Sequence, residues 1–296
     1  MHIPVLLRET IDLMNLREGD TVLDGTLGGG GHAEAIAEKI GEKGILVGLD
    51  IDRDAIERSR EHLTKARSKV HLLEKNYRNL DRALESVGVR GVDAILLDLG
   101  WSTDQFEGSG RGFSFGSDEP LLMTLEKDPR EDQCTARDIV NEFSEEELKD
   151  MLYTLGEEQF SGRIARAIVR ARKQRSIETT KDLVRIIEDV VPRFYLFRRI
   201  HPATKTFQAL RIRVNDELSA LREGLGKGLE ALKENGRFVV LTFHSLEDRI
   251  VKQTFREWMY QGRGTVLTKK PIIAGEEELH VNRRARSAKL RGFQKI

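Results

Sequence analysis

Residues 24–32 read DGTLGGGGH, an acid and a small polar pair followed by four consecutive glycines and a histidine. Gly28, Gly30 and Ala33 occupy the places of the loose dinucleotide-binding pattern G-x-G-x-x-[GA], and Asp50 lies about twenty residues after Gly30. No G-K-[ST] sequence follows, so the loop has no Walker A lysine to contact a phosphate. The pattern predicts a loop whose bare backbone approaches a ligand that carries a ribose.

The aspartate before the glycines favours a cationic ligand. Asp24 is placed to accept hydrogen bonds from an ammonium group, which NAD lacks and S-adenosylmethionine has. We predict that Asp24 faces this ammonium group, that Gly30 and Gly31 allow close approach, and that Asp50 accepts both ribose hydroxyls. A structural turn with capping aspartates is the plain alternative, and an NAD-dependent oxidoreductase is the alternative enzyme.

A second polar segment, DLGWSTDQ at residues 98–105, follows another apolar run. Asp98 could hold the N–H groups of an exocyclic amine and turn its lone pair toward a methyl donor, or it could contact the cofactor. Trp101 could stack on an unpaired base, and ordinary packing is an equal alternative.

Cysteine and histidine usage narrows the chemistry. The single cysteine, Cys134, has no activating context, so methylation at a pyrimidine C5 through a thiolate adduct is disfavoured relative to nitrogen or oxygen attack. No H-E-x-x-H pair or cysteine cluster occurs, and we expect no metal. His32 either contacts the cofactor or begins a helix, whereas His244 is expected to cap a helix or to lie in the core.

Apolar runs alternate with helical patterns through the first hundred residues. The runs TVLD, GILVGLD, KVHLLEKNY and VDAILLD predict parallel strands buried on both faces. In such sheets ligands bind beyond the carboxyl ends of the strands, where Asp24, Asp50, Tyr77 and Asp98 fall.

The pattern then becomes helical. Helices are predicted to begin at Ser144, to carry Ile164 and Ile168, and to run from Thr180 to Val190. One long helix over about 204–232 precedes the strand GRFVVLTFHS, and the C-terminal tail is expected to be partly mobile. The predicted organisation is a first domain part at 1–108, an inserted helical domain at 109–203 and a second domain part at 204–296.

The chain has 49 basic and 49 acidic residues, so a polyanionic partner would have to be met by local basic patches. We predict two RNA-binding patches that flank the expected site. The first lies in one helix and comprises Arg163, Arg166, Arg170 and Lys173. The second lies near the C terminus and comprises Arg283, Arg284 and Arg286, with the further tail bases Lys289, Arg291 and Lys295. No apolar run reaches the length of a membrane span, and a cytoplasmic location is expected.

These segments together resemble a known family, the ribosomal small-subunit RNA cytosine-N4 methyltransferases called RsmH, formerly MraW. The resemblance covers nearly the whole chain and is carried by HIPVLLRE, DGTLGGGGH, LLDLG, RGFSF, HPATKTFQALRIRVNDEL, FHSLEDRIVK and RARSAKLR. It implies a class I, Rossmann-like S-adenosylmethionine-dependent methyltransferase fold with an inserted all-helical domain. It also implies cofactor contacts at Gly30, Gly31, His32, Asp50, Tyr77, Asp98 and Gln105.

The implied reaction is methylation of the N4 amine of a cytidine in the decoding region of 16S ribosomal RNA, either free or in the small subunit. The sequence departs from the family's DLGVSSPQ at Trp101, Thr103 and Asp104. A non-enzymatic assembly factor with a vestigial cofactor fold and a methyltransferase acting on a DNA amine are the remaining alternatives. The sequence leaves the oligomeric state open between monomer and dimer.

Overall fold

The computed structural model describes residues 4–100, 109–126 and 133–296. The chain forms two compact units. The first unit comprises residues 1–102 and 218–296, and the inserted unit comprises residues 103–217. The insertion thus begins after the fourth strand of a sheet that is completed by the C-terminal third of the chain.

A seven-stranded sheet organises the first unit. Its strands are β1 (Thr21–Asp24), β2 (Ile45–Asp50), β3 (Lys69–Glu74), β4 (Val92–Asp98), β5 (Leu232–Thr242), β6 (Gly264–Val266) and β7 (Lys289–Lys295). The spatial order is β3-β2-β1-β4-β5-β7-β6, with the first five strands parallel and β7 antiparallel to both of its neighbours. The order reverses between β1 and β4, which is the switch point where open α/β sheets bind ligands. The predicted Rossmann-like α/β fold is confirmed.

Helices cover both faces of this sheet. They are α1 (Leu7–Met14), α2 (Gly31–Ile40), α3 (Arg53–His62), α4 (Leu80–Ser86), α11 (Glu217–Ala231), α12 (Ser245–Tyr260) and α13 (Glu276–Val281). One buried cluster joins α1 and α2 to the sheet, and a second joins α4, α11 and α12 to the opposite face. Both faces of the strands are apolar because both are covered, as their unbroken apolar runs predict.

The inserted unit is helical. Its helices are α5 (Ala136–Glu142), α6 (Glu145–Gly156), α7 (Ser161–Arg172), α8 (Thr180–Val190), α9 (Arg193–Leu196) and α10 (Thr204–Asn215). Ser144 and Glu147 form the predicted capping box, and α8 has the predicted bounds. Across the three described ranges, every helix is too short or too polar to cross a lipid bilayer.

Three features of the C-terminal half differ from the expectations. The predicted single helix over 204–232 is two helices, because Asp216 adopts the left-handed conformation with φ of 48° and interrupts the helical hydrogen bonds between α10 and α11. The structural division falls after Glu217, whereas the sequence suggested a boundary at 203. The tail is also ordered, since β7 pairs with β5 and buries Leu290 and Phe293 completely.

Candidate active site

Three carboxylates end three neighbouring strands at the switch point. Asp24 ends β1, Asp50 ends β2 and Asp98 ends β4. The sheet pairs β1 directly with β2 and with β4, so these acids gather at one edge, as the sequence predicted. Within the described chain, no lysine or arginine forms an ion pair with Asp24 or Asp50. The site therefore concentrates negative charge beside the glycine loop.

Asp24 is the most buried of the three acids, with 1% of its surface exposed. Its Oδ1 accepts a hydrogen bond from the Thr26 N–H at 3.1 Å, whereas its buried Oδ2 has no hydrogen-bond partner among the residues that the structure describes. Burial, with smaller contributions from the nearby Asp98 and Asp50 carboxylates, raises the pKa of Asp24 to about 7, although the hydrogen bond from the Thr26 N–H opposes the shift. An unsatisfied buried carboxylate oxygen is costly, and a cation that approached it would lower that cost.

Asp50 organises the turn that follows β2. Its Oδ2 accepts from the Gly28 N–H at 2.8 Å and its Oδ1 accepts from the Asp52 N–H at 2.9 Å. Burial raises the pKa of Asp50 to about 6, although these two backbone N–H groups oppose the shift. Each carboxylate oxygen can accept a second hydrogen bond, so the two oxygens retain capacity for a pair of ligand hydroxyls.

Asp98 is held by three neighbours. Its backbone N–H donates to the Thr26 hydroxyl at 2.6 Å, and its Oδ1 accepts from the Gly100 N–H at 3.0 Å. Its Oδ2 lies 3.4 Å from Nδ1 of His32. The carboxylate is therefore fixed at the carboxyl end of β4 with a defined orientation. Thr26 connects Asp98 to Asp24, a role that the sequence reasoning missed because a threonine within a glycine-rich loop carries no distinctive signal.

His32 acts within the protein core rather than at an open surface. Its ring is buried, with Nε2 3.1 Å from the Val5 carbonyl and Nδ1 facing Asp98. Burial lowers the pKa of His32, and the charge of Asp98 opposes that shift. The structure thus gives His32 a positioning contact to Asp98, whereas the resemblance implied a contact to the cofactor.

The glycines of the loop have distinct structural uses. A Cβ at Gly31 would lie 2.3 Å from Cγ of Pro4, so packing of the N-terminal segment alone requires a glycine there. Gly30 has a φ of +80°, and a Cβ there would lie 3.1 Å from the Ser59 hydroxyl. Gly28 has a φ of +52° and faces open space. Of these three glycines, only Gly28 combines a left-handed φ with open space at the Cβ position.

Tyr77 follows β3 in a short 3₁₀ turn and is half-buried. A Cβ at Gly224 would lie 2.6 Å from the Tyr77 ring, which shows that the ring packs directly on the backbone of α11. The ring that is predicted to line the adenine is therefore supported by the backbone of α11. Trp101 and Gln105 lie outside the described residues.

The predicted RNA-binding patches divide into exposed and internally paired residues. The four predicted bases are exposed, with Arg163, Arg166 and Arg170 in α7 and Lys173 at its C-cap, and Arg166 also pairs with Glu145 at 3.3 Å. Near the C terminus, Arg283 and Arg286 are exposed and Arg284 is half-buried, whereas Arg291 and Lys289 both pair with Asp248. Arg291 is buried, so it stabilises the fold and does not belong to a basic surface.

A cavity of about 350 Å³ lies beyond the end of β5. Its lining includes Phe243, His244, Ala274, Arg286 and Lys289. His244 is the N-cap of α12 and forms a capping box with Glu247, which confirms the expected structural role. The exposed part of the C-terminal basic patch thus borders a cavity of the first unit.

Comparison with known proteins identifies the family. The model of the MraW methylase family matches residues 1–296. The chain belongs to the MraW methylase family. Proteins named ribosomal RNA small subunit methyltransferase H from Brevibacillus brevis, Geotalea uraniireducens and Persephonella marina are 41%, 43% and 42% identical to it, over 100% of this chain and 98%, 98% and 99% of theirs. A putative rRNA-methylase structure from Clostridium thermocellum aligns over both whole chains at 16% identity with a TM-score of 0.48, too low to carry an argument.

Membership of the MraW family makes this chain an S-adenosylmethionine-dependent methyltransferase and excludes the oxidoreductase alternative. The residues at the switch point fit that cofactor. The orphaned Oδ2 of Asp24 suits a positively charged group, and the open backbone at Gly28 suits close approach. Asp50 retains acceptor capacity for the ribose hydroxyls.

Proposed function

We propose that this protein methylates the exocyclic N4 amine of a cytidine in the decoding region of small-subunit ribosomal RNA. The observation that carries the proposal is the fixed carboxylate of Asp98 at the end of β4, beside the glycine loop, in a chain that matches its relatives from end to end. The names of those relatives, ribosomal RNA small subunit methyltransferase H, support the ribosomal substrate.

We assign the cofactor contacts to residues around the glycine loop. Asp50 accepts the ribose hydroxyls, Tyr77 lines the adenine, and the loop backbone at Gly30 and Gly31 borders the amino-acid end. Asp24 acts from beneath the loop through its negative charge, because its carboxyl group is almost wholly buried. When bound, S-adenosylmethionine supplies an electrophilic methyl group on its sulfonium.

Asp98 positions the nucleophile. The lone pair of an exocyclic amine is delocalised into the base, so an acceptor that holds its N–H bonds and directs the lone pair lowers the barrier by orientation. The cofactor held by Asp50 and Tyr77 would supply its methyl group to the amine nitrogen that Asp98 positions, and the amine proton would leave to an acceptor or to solvent. The target nucleotide must be extruded to reach this crevice.

The environment of Cys134 favours attack by nitrogen over a thiolate mechanism. The thiol belongs to the inserted unit, and desolvation with the charge of Asp138 raises the pKa of Cys134. A raised pKa lowers the thiolate fraction, which is the opposite of what covalent activation of a pyrimidine ring requires.

We assign RNA-backbone contacts to the exposed bases of α7 and to Arg283, Arg284 and Arg286.

The experiment incubates the protein and methyl-labelled S-adenosylmethionine with small subunits, free rRNA and duplex DNA in parallel, and identifies the labelled nucleoside after digestion. N4-methylcytidine from subunits or rRNA is the expected product. Label in duplex DNA alone, or in another nucleoside, would contradict the proposal. No label despite tight cofactor binding would point to the assembly-factor alternative.

Asp98→Asn provides the matched test of the site. The amide keeps the size of the side chain and an oxygen for the Gly100 N–H but loses the charge that holds the amine. We expect turnover to fall by about 100-fold or more, with cofactor affinity measured separately by calorimetry. Full activity of this variant would remove Asp98 from the reaction.

A further inference from the structure

A short segment of the inserted unit exposes an unusual number of large apolar side chains. Over residues 193–200, Phe194 is 60% exposed, Phe197 is 76% exposed and Ile200 is 61% exposed. Exposed apolar residues that stand close together indicate a binding surface, whereas isolated ones do not. We call residues 193–200 the aromatic segment.

Tyr195 anchors this segment to the inserted unit. It is buried, its hydroxyl donates to Glu158 at 2.7 Å, and its ring meets Phe160 edge-on at 4.9 Å between centroids. The rings of Phe160 and Phe194 also pack together, with their centroids 6.1 Å apart. Because the buried tyrosine fixes the short helix α9 in place, Phe194 and Phe197 are held outward on a rigid support.

Arginines are interleaved with these rings. The guanidinium of Arg198 lies 4.8 Å from the Tyr195 ring centroid and 5.6 Å from that of Phe194. Among the residues that the structure describes, no carboxylate forms an ion pair with Arg193, Arg198 or Arg199. The aromatic segment therefore offers exposed rings together with three guanidinium groups whose charge is not neutralised locally.

This combination distinguishes between partners. A second copy of the chain would bring the same three cations to the contact, and like charges brought together disfavour association. An unpaired RNA strand offers bases that stack on exposed rings and phosphates that accept hydrogen bonds from guanidinium groups. A duplex hides the faces of its bases, so the segment favours single-stranded RNA.

The segment also continues the basic face of α7. The guanidinium of Arg163 lies 5.9 Å from the centroid of Phe160, the ring that contacts both Phe194 and Tyr195. Arg163 is the first of the four exposed bases of α7. Phosphates bound along α7 would thus lead the strand onto the rings of the aromatic segment.

We propose that the aromatic segment binds unpaired nucleotides of the RNA substrate by stacking bases on Phe197 and Phe194 while Arg193, Arg198 and Arg199 contact the phosphates. This inference rests on the proposed function for the nature of the substrate. It adds the class of RNA structure that is recognised and the residues that recognise it.

The test compares Phe197→Ala, Phe197→Trp and Tyr153→Ala in the full-length protein. Affinity is measured by fluorescence anisotropy for a labelled single-stranded RNA of about 12 nucleotides and for the matching duplex, at fixed salt. Phe197→Ala should weaken single-strand binding by about 5- to 100-fold, since that is the usual effect of losing one stacked base. Phe197→Trp keeps a stacking face and should bind nearly as tightly as the unmodified protein.

Tyr153→Ala is the matched control, because Tyr153 is also a largely exposed aromatic residue, at 66% against 76% for Phe197, and lies in α6 of the same unit. It should leave the affinity unchanged, and no variant should alter duplex binding or cofactor binding. Equal single-strand affinity of Phe197→Ala, Tyr153→Ala and the unmodified protein would overturn the proposal. So would a change of oligomeric state in Phe197→Ala with RNA affinity unchanged, because the surface would then be a protein interface.

Methyl transfer by the unmodified protein separates the two proposals. If small subunits are methylated but Phe197→Ala binds single-stranded RNA normally, the stacking surface is wrong and the proposed function stands. If no RNA is methylated but the substitution still weakens single-strand binding, the stacking surface stands and the proposed function fails.

Discussion

The buried carboxylate of Asp24 destabilises the folded protein, and we expect the same carboxylate to favour binding of S-adenosylmethionine. Its buried carboxylate has one hydrogen bond from Thr26 and an orphaned Oδ2, and it faces the like charges of Asp50 and Asp98. An ammonium group nearby would turn this unfavourable arrangement into a favourable one. We therefore expect proton release from Asp24 to accompany cofactor binding near neutral pH.

The pH dependence of binding tests this expectation. The pKa of Asp24 is about 7 in the folded protein, above its ordinary value of 3.8, so the carboxyl group is largely protonated below neutral pH. Only the ionised form attracts the ammonium group, so affinity should rise from pH 6 to about pH 7.5, by at most about tenfold per pH unit, before the ligand's own α-amino group loses its charge at about pH 7.7–8.0. Calorimetric titration with S-adenosylmethionine over this range provides the measurement.

The control for this prediction is Asp24→Asn. The amide oxygen still accepts from the Thr26 N–H, but the side chain cannot ionise. Binding should weaken by about 10- to 100-fold at pH 7.5 and should lose its rise around pH 7, because the charge that assists the interaction with the ammonium group is lost. Asp50, whose pKa is about 6, titrates in both proteins and cancels in the comparison. A parallel pH profile in the two proteins would exclude a charge interaction with Asp24.

The same shift affects stability with the opposite sign. The native state of the empty protein holds a proton on Asp24 that the unfolded chain has lost between pH 3.8 and about 7. The contribution of Asp24 to the free energy of unfolding is therefore fully present below pH 3.8 and is lost as the pH rises through about 7. In thermal denaturation, Asp24→Asn should gain stability relative to the unmodified protein as the pH rises to 8, and a constant difference would contradict the raised pKa.

At the scale of elements, two of the three glycines of α11 have opposite surroundings. A Cβ at Gly226 would meet nothing within 4 Å, whereas a Cβ at Gly228 would lie 2.5 Å from the Phe238 ring. Gly226→Ala should therefore stabilise the protein by about 0.5–1 kcal/mol through helix propensity. Gly228→Ala should destabilise it by about 1–3 kcal/mol, because the sheet must move away from the helix.

Denaturant unfolding of the two variants gives the comparison, since both change the same helix by the same methyl group. Stabilisation by both substitutions would mean that α11 does not pack closely on β5. Destabilisation by both would mean that position 226 is not an open helix position that gains from a better helix former.

Local sequence signals explain which elements were predictable. Unbroken apolar runs predict the strands β1 to β4. The capping box formed by Ser144 and Glu147 predicts the start of α6. The break at Asp216 was not predictable, because the apolar spacing continues across it and only the backbone conformation shows it. β7 was hidden by its basic residues, since the burial of Arg291 depends on the distant carboxylate of Asp248.

Some features of the candidate site could likewise be predicted from the sequence, and others could not. Acids at strand ends could be located from the sequence because parallel strands bring their carboxyl ends to one edge. The contact between His32 and Asp98 and the connecting role of Thr26 depend on side-chain directions that spacing does not specify. The use of Gly31 to accommodate Pro4 depends on a tertiary contact across the N-terminal segment.

At the scale of the whole molecule, the insertion leaves a complete core behind. The two buried clusters that sandwich the sheet consist entirely of residues from the first unit. The helix α10, in contrast, buries Phe207, Leu210 and Ile212 and packs on α6 of the inserted unit. The insertion should therefore be removable if the cut falls after α10.

Two deletions test this boundary. Replacing residues 109–217 with a short glycine-serine linker should give a folded protein that binds S-adenosylmethionine but methylates no RNA, because both apolar clusters of the first unit are retained. Replacing only residues 109–203, the boundary suggested by the sequence, leaves the apolar face of α10 without its partner α6, and this protein should aggregate or unfold at lower temperature. Circular dichroism melting and calorimetric titration of both proteins provide the comparison. Equal stability of the two deletions would show that α10 belongs with the sheet, and loss of cofactor binding in both would show that the inserted unit is required for the cofactor site.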